Sequence, residues 1–286
     1  MALDRRVTPA RPDLAASRLR GTVAAERYRD GDPMLVSVPL ADLWAEPGRR
    51  NRTSQALFGE TVDVYDIQGG VAWAQLRTDG YVGYLAAEAL APDPTAGGLR
   101  PDGAARMHRV AVPLTHRYPQ PEVKAPAMGR LPMAARLRVL SQRNGFAETP
   151  QGWVPLAHLR RLDASEKDPV EIAERFLHAP YLWGGRSALG LDCSALVQLS
   201  AGACDIAAPR DSDMQEAALG RRLDPADALR RGDLVFWKGH VGWMRDATHL
   251  LHANAHHMQV ASEPLEDARI RIAAAGLGEV TALRRL

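Results

Sequence analysis

The sequence predicts an α+β protein in which two small all-β domains precede a larger domain that mixes helices and strands. Short β-type runs recur twice in the first half, and helical apolar patterns become prominent only after residue 168. The length of 286 residues suits two or three domains, and a hydrophobic content of 46% is enough to build separate cores. That content excludes an intrinsically disordered chain.

Residues 1–33 are polar and predict an N-terminal arm. Pro12-Asp13-Leu14 predicts the start of a short helix in this arm. Leu14 and Leu19 are the apolar side chains expected to pack it on a later domain.

Two β-rich segments follow, at residues 34–92 and 109–162, and they resemble each other. The motif Val-Ser-Val-Pro-Leu at 36–40 recurs as Val-Ala-Val-Pro-Leu at 110–114, which predicts two copies of one small fold. Residues 93–108 between them are rich in proline and glycine and predict a linker. The clearest strand patterns of the first copy are Met34–Leu40, Glu60–Ile67 and Val71–Leu76.

Residues 168–286 predict the mixed domain. Asp168 is a suitable N-cap and Pro169 suits the first position of a helix over 169–179. A second, largely apolar helix is expected over 194–202. Further elements are predicted as a helix over 214–219 and strands over 233–244 and 249–261.

Composition limits the classes of partner. With 36 basic and 34 acidic residues the net charge is +2, which gives no support for a nucleic-acid partner. The N-terminus lacks the apolar segment of a secretory signal, and no run approaches the roughly 20 apolar residues of a membrane span. We therefore expect a cytoplasmic protein with no membrane association.

Cys193 is the candidate nucleophile. It follows the potential cap Asp192 at the start of a helix, where the helix dipole favours a thiolate. Cys204 lies eleven residues later on the same helix, where the dipole opposes a thiolate. The two sulfurs are expected about 16 Å apart, at 1.5 Å per residue, and therefore not bonded to each other.

His240 and His252 are the candidate partners of this cysteine. A hairpin centred near Asp246 would place the two histidines directly opposite each other, so that His252 could orient His240 for proton transfer. A metal site is the alternative use of the cluster His252, His256, His257 and Cys193, but no recognised zinc spacing is present. We expect no metal and no organic cofactor.

Five ordered motifs resemble those of the NlpC family, papain-like cysteine peptidases that act on murein peptides. The resemblance covers residues 168–286, and the β segments in front resemble bacterial SH3-like barrels, as in the family's γ-D-glutamyl-L-diamino acid endopeptidases. Ala195 stands where the family usually has glycine, which still fits a helix. The motifs are Tyr181–Gly185, Leu191–Val197, Arg231–Trp237, His240–Gly242 and Leu251–Ala253.

The resemblance implies a role for each residue near the cysteine. It implies Cys193 as nucleophile, His240 as general base and His252 as the third polar residue. Tyr181 would help to bind the oxyanion. The flanking residues Asp192 and Ser194 would line a D-glutamyl site, although helix capping alone is an equally good explanation of both.

The resemblance also implies substrate contacts from residues farther along the chain from Cys193. Asp211 and Ser212 would bind the free amine of an N-terminal L-Ala, or else cap the next helix. From the first β segment, Glu60 and Tyr81 would wall off the cleft, or else be surface β residues.

The expected activity is hydrolysis of the γ-D-Glu–diamino acid bond in murein peptides with a free N-terminal L-Ala, in cell-wall peptide recycling. One alternative is a non-catalytic protein that binds wall peptides. Another is the same triad transferring acyl groups in lipid or small-molecule chemistry. The sequence does not distinguish diaminopimelate from lysine in the substrate, nor does it determine the oligomeric state.

Overall fold

A computed structural model describes residues 3–93, 107–224 and 226–286. The chain divides into two compact units, residues 1–162 and residues 163–286, which are described separately below. Within the described ranges, no helix has both the length and the apolar character needed to cross a membrane.

Within its described residues, the first unit consists of strands joined by turns and three short 3-10 helices. Those 3-10 helices span Ser17–Leu19, Ala87–Ala89 and Leu156–His158. The strands are β1 (Leu14–Ala16), β2 (Arg27–Arg29), β3 (Asp32–Val36), β4 (Leu40–Trp44), β5 (Arg52–Leu57), β6 (Thr61–Gln68), β7 (Val71–Leu76), β8 (Val82–Ala86), β9 (Leu90–Pro92), β10 (Met107–Val110), β11 (Leu114–Arg117), β12 (Gly129–Pro132), β13 (Arg136–Arg138), β14 (Ser141–Arg143), β15 (Phe146–Thr149), β16 (Gly152–Pro155) and β17 (Leu159–Arg161).

The predicted helix at Leu14 is wrong, because this segment is the strand β1, which pairs in parallel with β2. Leu14 and Ala16 are buried against Tyr65 and Trp73 of the first sheet. An extended backbone places residues i and i+2 on the same face, so both side chains reach that apolar surface. The arm therefore packs on the β structure as expected, but in an extended conformation.

Strands β3 to β9 form one antiparallel sheet in the order β5-β4-β8-β7-β6-β3-β9. The alternation expected for half-buried strands is clear at the start of β6, where Val62 and Val64 are buried and Thr61 and Asp63 are partly exposed. The core of this sheet includes Leu43, Ala74 and Leu85. The sheet has two edges, β5 and β9, and is not a closed barrel.

The second β segment surrounds its own core, which includes Val110, Leu137 and Val154. Its strands form three small sheets, ordered β13-β10-β17, β11-β12 and β14-β15-β16. The internal repeat is visible in the elements, because the Val-Pro-Leu motif joins β3 to β4 and again β10 to β11. Two closed barrels, however, are not observed. The predicted linker 93–108 lies almost entirely outside the described residues.

The second unit is the mixed domain. Its sheet has the order β20-β25-β21-β22-β23-β24, and β18 and β19 form a separate hairpin. The elements are α1 (Pro169–Glu174), β18 (Arg186–Ser187), β19 (Gly190–Leu191), α2 (Cys193–Ala203), α3 (Ser212–Ala218), β20 (Arg221–Arg222), β21 (Asp233–Trp237), β22 (His240–Met244), β23 (His249–Asn254), β24 (Gln259–Pro264), α4 (Leu265–Ala274) and β25 (Ala282–Arg285). Helix α4 and strand β25 were not predicted.

Helix α1 begins as predicted but ends early. The Asp168 carboxylate accepts a hydrogen bond from the Val170 N–H at 2.8 Å, which confirms the N-cap. The helix ends at Glu174 rather than Ala179, because the N–H of His178 bonds to the carbonyl of Val260 instead of continuing the helical pattern. Tertiary pairing with β24 therefore overrides local helix propensity.

Helix α2 is buried over almost its whole length, from Cys193 to Ala201. It packs against β22 and β23, and the indole N–H of Trp243 donates to Ser200 Oγ at 3.0 Å. The helix is thereby held against β22, the strand that carries His240. The core cluster that includes Ala268 and Ile272 of α4 packs with Val235, Trp237, Met244 and Leu250 of the sheet.

Candidate active site

Asp192 fixes both the start of α2 and the turn that precedes it. Its Oδ1 accepts from the Ala195 N–H at 2.8 Å and from Ser194 Oγ at 3.1 Å. Its Oδ2 accepts from the Gly184 N–H at 2.9 Å. The predicted cap is confirmed, and Cys193 takes the first position of the helix.

A buried arginine completes this arrangement. Arg210 is 1% exposed and makes a bidentate ion pair with Asp192, at 3.0 Å to Oδ1 and 2.6 Å to Oδ2. It also donates to Ser194 Oγ at 2.9 Å. Gln215 adds a bond from Nε2 to the Ser194 carbonyl at 2.9 Å. Asp192 and Ser194 are thus engaged within the protein, and their predicted D-glutamyl contacts stay predictions.

Sequence reasoning did not identify Arg210 or Gln215 as site residues. Arg210 was visible as the first residue of a polar run after Pro209. Its partner Asp192 is 18 positions away in the chain, so no local pattern links the two.

The Cys193 thiol is neutral in this environment. Burial raises its pKa to about 12, and the negative charge of Asp192 acts in the same direction. Hydrogen bonds from the Val241 and Ser194 amides and the charge of Arg210 oppose the shift. Burial outweighs these opposing effects, so the pKa of Cys193 runs against the expectation that the helix start would favour a resting thiolate. The Val241 amide also places the sulfur at strand β22.

His240 and His252 are in contact, with His240 Nε2 at 2.8 Å from His252 Nδ1. The contact was expected, but the predicted register was wrong. Trp243 pairs with Leu251 and Met244 with Leu250, so the turn is centred one residue later than Asp246. The two histidines are diagonal neighbours on one face rather than directly opposed.

The turn itself explains this register. The Asp246 carboxylate accepts from the N–H groups of Thr248 and His249, each at 2.8 Å. Asp246 therefore opens the turn instead of occupying its centre. The shift changes the facing partner by two positions, which leaves His252 on the expected face.

A carboxylate lies beyond His252. His252 is fully buried, and its Nε2 lies 2.7 Å from Glu263 Oε1. Arg271 of α4 donates to the same oxygen, and His257 Nδ1 lies 3.9 Å from it. Glu263 was missed by the sequence analysis. The available signal was the β23–β24 hairpin. In this hairpin His252 pairs directly with Ala261, and Glu263 lies two residues after Ala261 on the same face.

The imidazoles of His240 and His252 are both held neutral. Burial lowers the pKa of His240 to about 3, and the charges of a protonated His252 and of Arg271 act in the same direction. Burial also lowers the pKa of His252, against the opposing effect of Glu263. For Glu263, burial favours the protonated acid, but the His252 hydrogen bond and the charges of His252 and Arg271 outweigh it and lower the pKa.

Tyr181 is half-buried and close to the cysteine. Burial raises the pKa of its phenol, and the charges of Cys193 and Asp192 add to the shift. The hydroxyl therefore remains a protonated donor beside the nucleophile. Its backbone is fixed by a bond from its N–H to the Met258 carbonyl at 2.9 Å.

The remaining predicted residues lie in two places. Asp211 is the N-cap residue of α3 by position, and Ser212 opens the helix. Glu60 and Tyr81 belong to the first unit, where both are buried. Glu60 accepts from the Leu57 N–H at 2.7 Å, and Tyr81 packs in the core of the first sheet. Their roles as substrate contacts stay predictions.

A metal could be held, in principle, by one group among the described residues. Ligand atoms of His252, His257 and Glu263 lie within 4.8 Å of one another. Neither Cys193 nor His256 belongs to this group, so the four-residue cluster considered from the sequence is not formed there. The guanidinium of Arg271 already contacts the Glu263 carboxylate and would repel a cation.

Two family models match the chain. Residues 43–90 match the bacterial dipeptidyl-peptidase Sh3 domain, and residues 178–270 match the NlpC/P60 family. A dipeptidyl-peptidase 6 of Lysinibacillus sphaericus is 32% identical over 91 residues, which are 32% of this chain and 33% of that protein. A γ-D-glutamyl-L-lysine dipeptidyl-peptidase of Bacillus subtilis (strain 168) is 36% identical over 95 residues, covering 30% and 31%. The matched stretch spans about a third of the length of these relatives.

Solved structures show the same fold over most of the chain. An NlpC/P60 family protein from Bacillus cereus ATCC 10987 superposes with a TM-score of 0.72 at 21% identity, covering 88% of this chain and 99% of that one. An NlpC/P60 endopeptidase from Photobacterium damselae subsp. piscicida gives a TM-score of 0.59 at 12% identity, covering 89% and 71%.

Proposed function

We propose that the chain hydrolyses the γ-D-Glu–diamino acid bond of murein stem peptides, since residues 178–270 match the NlpC/P60 family and residues 43–90 match the bacterial dipeptidyl-peptidase Sh3 domain. The observation that carries this proposal is that α2, which begins at Cys193, packs against β22, which begins at His240. The Val241 amide lowers the pKa of the Cys193 thiol, and the residue before it, His240, contacts His252 at 2.8 Å.

The first step is a proton transfer coupled to nucleophilic attack. Thiol and imidazole are both neutral at rest, so His240 takes the thiol proton as the sulfur attacks the γ-carbonyl carbon of D-Glu. Since Nε2 of His240 is engaged by His252, the nitrogen left for this proton is Nδ1. The carbonyl oxygen acquires the negative charge, and the Cys193 N–H and the Tyr181 hydroxyl are the proposed donors to it.

The second step releases the products. His240 gives its proton to the amine of the diamino acid as the C–N bond breaks, which leaves a thioester on Cys193. His240 then removes a proton from water, which attacks the thioester carbon. The thiol regains its proton and L-Ala-D-Glu departs. These steps use only groups of the chain and water.

The free N-terminus of the substrate is the proposed source of specificity. Asp211 lies at the start of α3, and a carboxylate can pair with an ammonium group. Glu60 and Tyr81 are proposed as further contacts. Peptides with a free L-Ala arise when the wall is broken down, so we propose that the protein serves recycling in the cytoplasm.

Replacement of the nucleophile tests the proposal. Cys193→Ala should reduce hydrolysis of L-Ala-γ-D-Glu-diamino acid peptides, with lysine or diaminopimelate in the third position, to the uncatalysed level. The products are followed by mass spectrometry. Cys204→Ala is the matched control and should keep full activity, since Cys204 lies at the far end of α2. Equal turnover by Cys193→Ala and the native protein would refute the peptidase. Cleavage that survives acetylation of the substrate amine would refute the Asp211 contact.

A further inference from the structure

We propose that Glu263 and Arg271 are a positioning pair that selects the tautomer of His240, so that Nδ1 of this ring stays available to the Cys193 thiol. The inference rests on the proposed peptidase function and adds two residues to it. Both residues act through His252 and neither is placed in contact with the substrate.

The pair joins two elements that sequence patterns do not connect. Glu263 lies on β24 and Arg271 on α4, and the Arg271 guanidinium donates to Glu263 Oε1. The side chains are 13% and 25% exposed, respectively. A permanently charged guanidinium that is hydrogen-bonded to a carboxylate favours the ionised form of that carboxylate. An ionised carboxylate has no hydrogen to donate and can only accept.

The acceptor at Glu263 determines the proton positions on both rings. Because Glu263 Oε1 lies 2.7 Å from His252 Nε2, that nitrogen must carry the hydrogen. A neutral imidazole has one N–H, so His252 Nδ1 is an acceptor. The 2.8 Å contact with His240 Nε2 is then a bond donated by His240. The hydrogen of His240 is therefore on Nε2, and Nδ1 holds a free lone pair.

The opposite arrangement would disable the base. If Glu263 were absent, His252 could carry its hydrogen on Nδ1 and donate it to His240 Nε2. The hydrogen of His240 would then lie on Nδ1, facing the thiol that it has to deprotonate. The two arrangements have equally good contacts between the rings, so the choice between them depends on the group at His252 Nε2. The carboxylate also stabilises the imidazolium that forms when the thiol loses its proton.

Other charged groups around the rings do not supply this selection. His257 Nδ1 lies 3.9 Å from Glu263 Oε1, beyond hydrogen-bond distance, and itself contacts Asn254 Oδ1 at 3.0 Å. The competing interpretation is that Glu263 and Arg271 form only a structural ion pair between α4 and β24. A purely structural pair would contribute to stability but would not move the proton of His240.

The direct test is the tautomer itself. In native protein labelled with 15N-histidine, imidazole nitrogen shifts at neutral pH should show His240 and His252 both with hydrogen on Nε2. Spectra of His240→Ala and His252→Ala assign the signals. In Glu263→Ala the signal of His240 should show an increased share of the form with hydrogen on Nδ1. A native His240 with hydrogen on Nδ1, or an unchanged tautomer in Glu263→Ala, would overturn the proposal.

Kinetics provide the second test. Glu263→Ala should lower kcat by about 10- to 100-fold, as loss of an orienting partner usually does, with a change in KM of no more than about twofold. Arg271→Gln should lower kcat less, and Arg271→Lys should restore much of the loss. Glu266→Gln is the matched control, because this nearby carboxylate is exposed and pairs with the exposed Arg269. Native kcat in a folded Glu263→Ala protein would contradict the assignment.

Alkylation of the thiol keeps this test separate from the proposed function. In a Cys204→Ala background, the rate of Cys193 modification by iodoacetamide is measured from pH 5 to 10. The Glu263→Ala substitution should slow the reaction near neutral pH, and Glu263→Gln provides a second variant that keeps the side-chain shape. If the protein cleaves no peptide but shows this change in alkylation, the peptidase proposal is refuted and the positioning role of Glu263 is retained. An unchanged alkylation profile would refute the positioning role of Glu263 even if peptide is cleaved.

Discussion

At the residue scale, the site depends on buried charges that do not take part in the reaction. Arg210 and Asp192 are 1% and 6% exposed and neutralise each other with two hydrogen bonds. Removing one member of such a pair leaves the other charge in a poorly solvated position. The helix start that holds Cys193 is thus maintained by an ion pair as well as by its cap.

Arg210→Met should lower the free energy of unfolding of the second unit by about 3–5 kcal/mol, since it leaves the Asp192 carboxylate buried and unpaired. The measurement is urea denaturation followed by tryptophan fluorescence. Arg269→Ala is the control, because its contact with Glu266 is 3.4 Å long and exposed, and its loss should cost less than about 1 kcal/mol. Similar effects of the two substitutions would contradict this account of Arg210.

At the scale of elements, the β22–β23 hairpin brings the two histidines together through a close approach of its strands. A Cβ atom built on Gly242 would lie 2.8 Å from Leu250 Cδ1 and 3.0 Å from His252 Cβ. Glycine at this position lets His252 stand over β22 and reach His240. The motif His240-Val241-Gly242 therefore contains both the proposed base and the glycine that leaves room for His252.

Gly242→Ala should displace His252 and lower kcat by at least about tenfold, because small misplacements of catalytic groups are costly. It should also destabilise the unit by about 1–3 kcal/mol through overpacking. Gly202→Ala in α2 is the control, because a Cβ there meets no atom within 4 Å. Helix propensity predicts that this control gains up to about 1 kcal/mol. Thermal unfolding measures the stability of the two variants, and peptide turnover measures their kcat. Full activity in Gly242→Ala would disprove the claim that His252 needs glycine at position 242.

At the scale of the whole molecule, the net charge conceals a marked asymmetry. Residues 107–162 contain nine basic and two acidic residues, a formal charge of +7, whereas the other residues contain 27 basic and 32 acidic ones, a charge of −5. The overall value of +2 is the small difference between these parts. The total charge of the chain therefore does not describe the charge of either part.

Acid should destabilise the second unit through its buried histidines. The pKa values of His240 and His252 are lowered from 6.5 in the folded state, to about 3 for His240. Below pH 6.5 the unfolded chain therefore binds protons that the folded chain does not, and stability falls as the pH falls. Each histidine contributes at most about 1.4 kcal/mol per pH unit.

Urea denaturation at pH 7.5 and pH 5.5 measures this effect. The native protein should lose free energy of unfolding over this interval, and His252→Gln should lose less because one buried titrating group is gone. His249→Gln is the control, since His249 is exposed on the hairpin turn. An equal pH dependence in native protein and His252→Gln would show that the buried histidine is not responsible.

Local patterns in the sequence determined the order of the domains, the helix start at Cys193, its cap and the pairing of two histidines across a hairpin. These features depend on residues close together in the chain, where periodicity and turn chemistry act. The tertiary structure alone decided the hairpin register, the ion pair of Arg210 with Asp192 and the line from His252 through Glu263 to Arg271. It also made the resting thiol neutral, because desolvation depends on which elements pack around a group, and that packing joins residues that are distant in sequence.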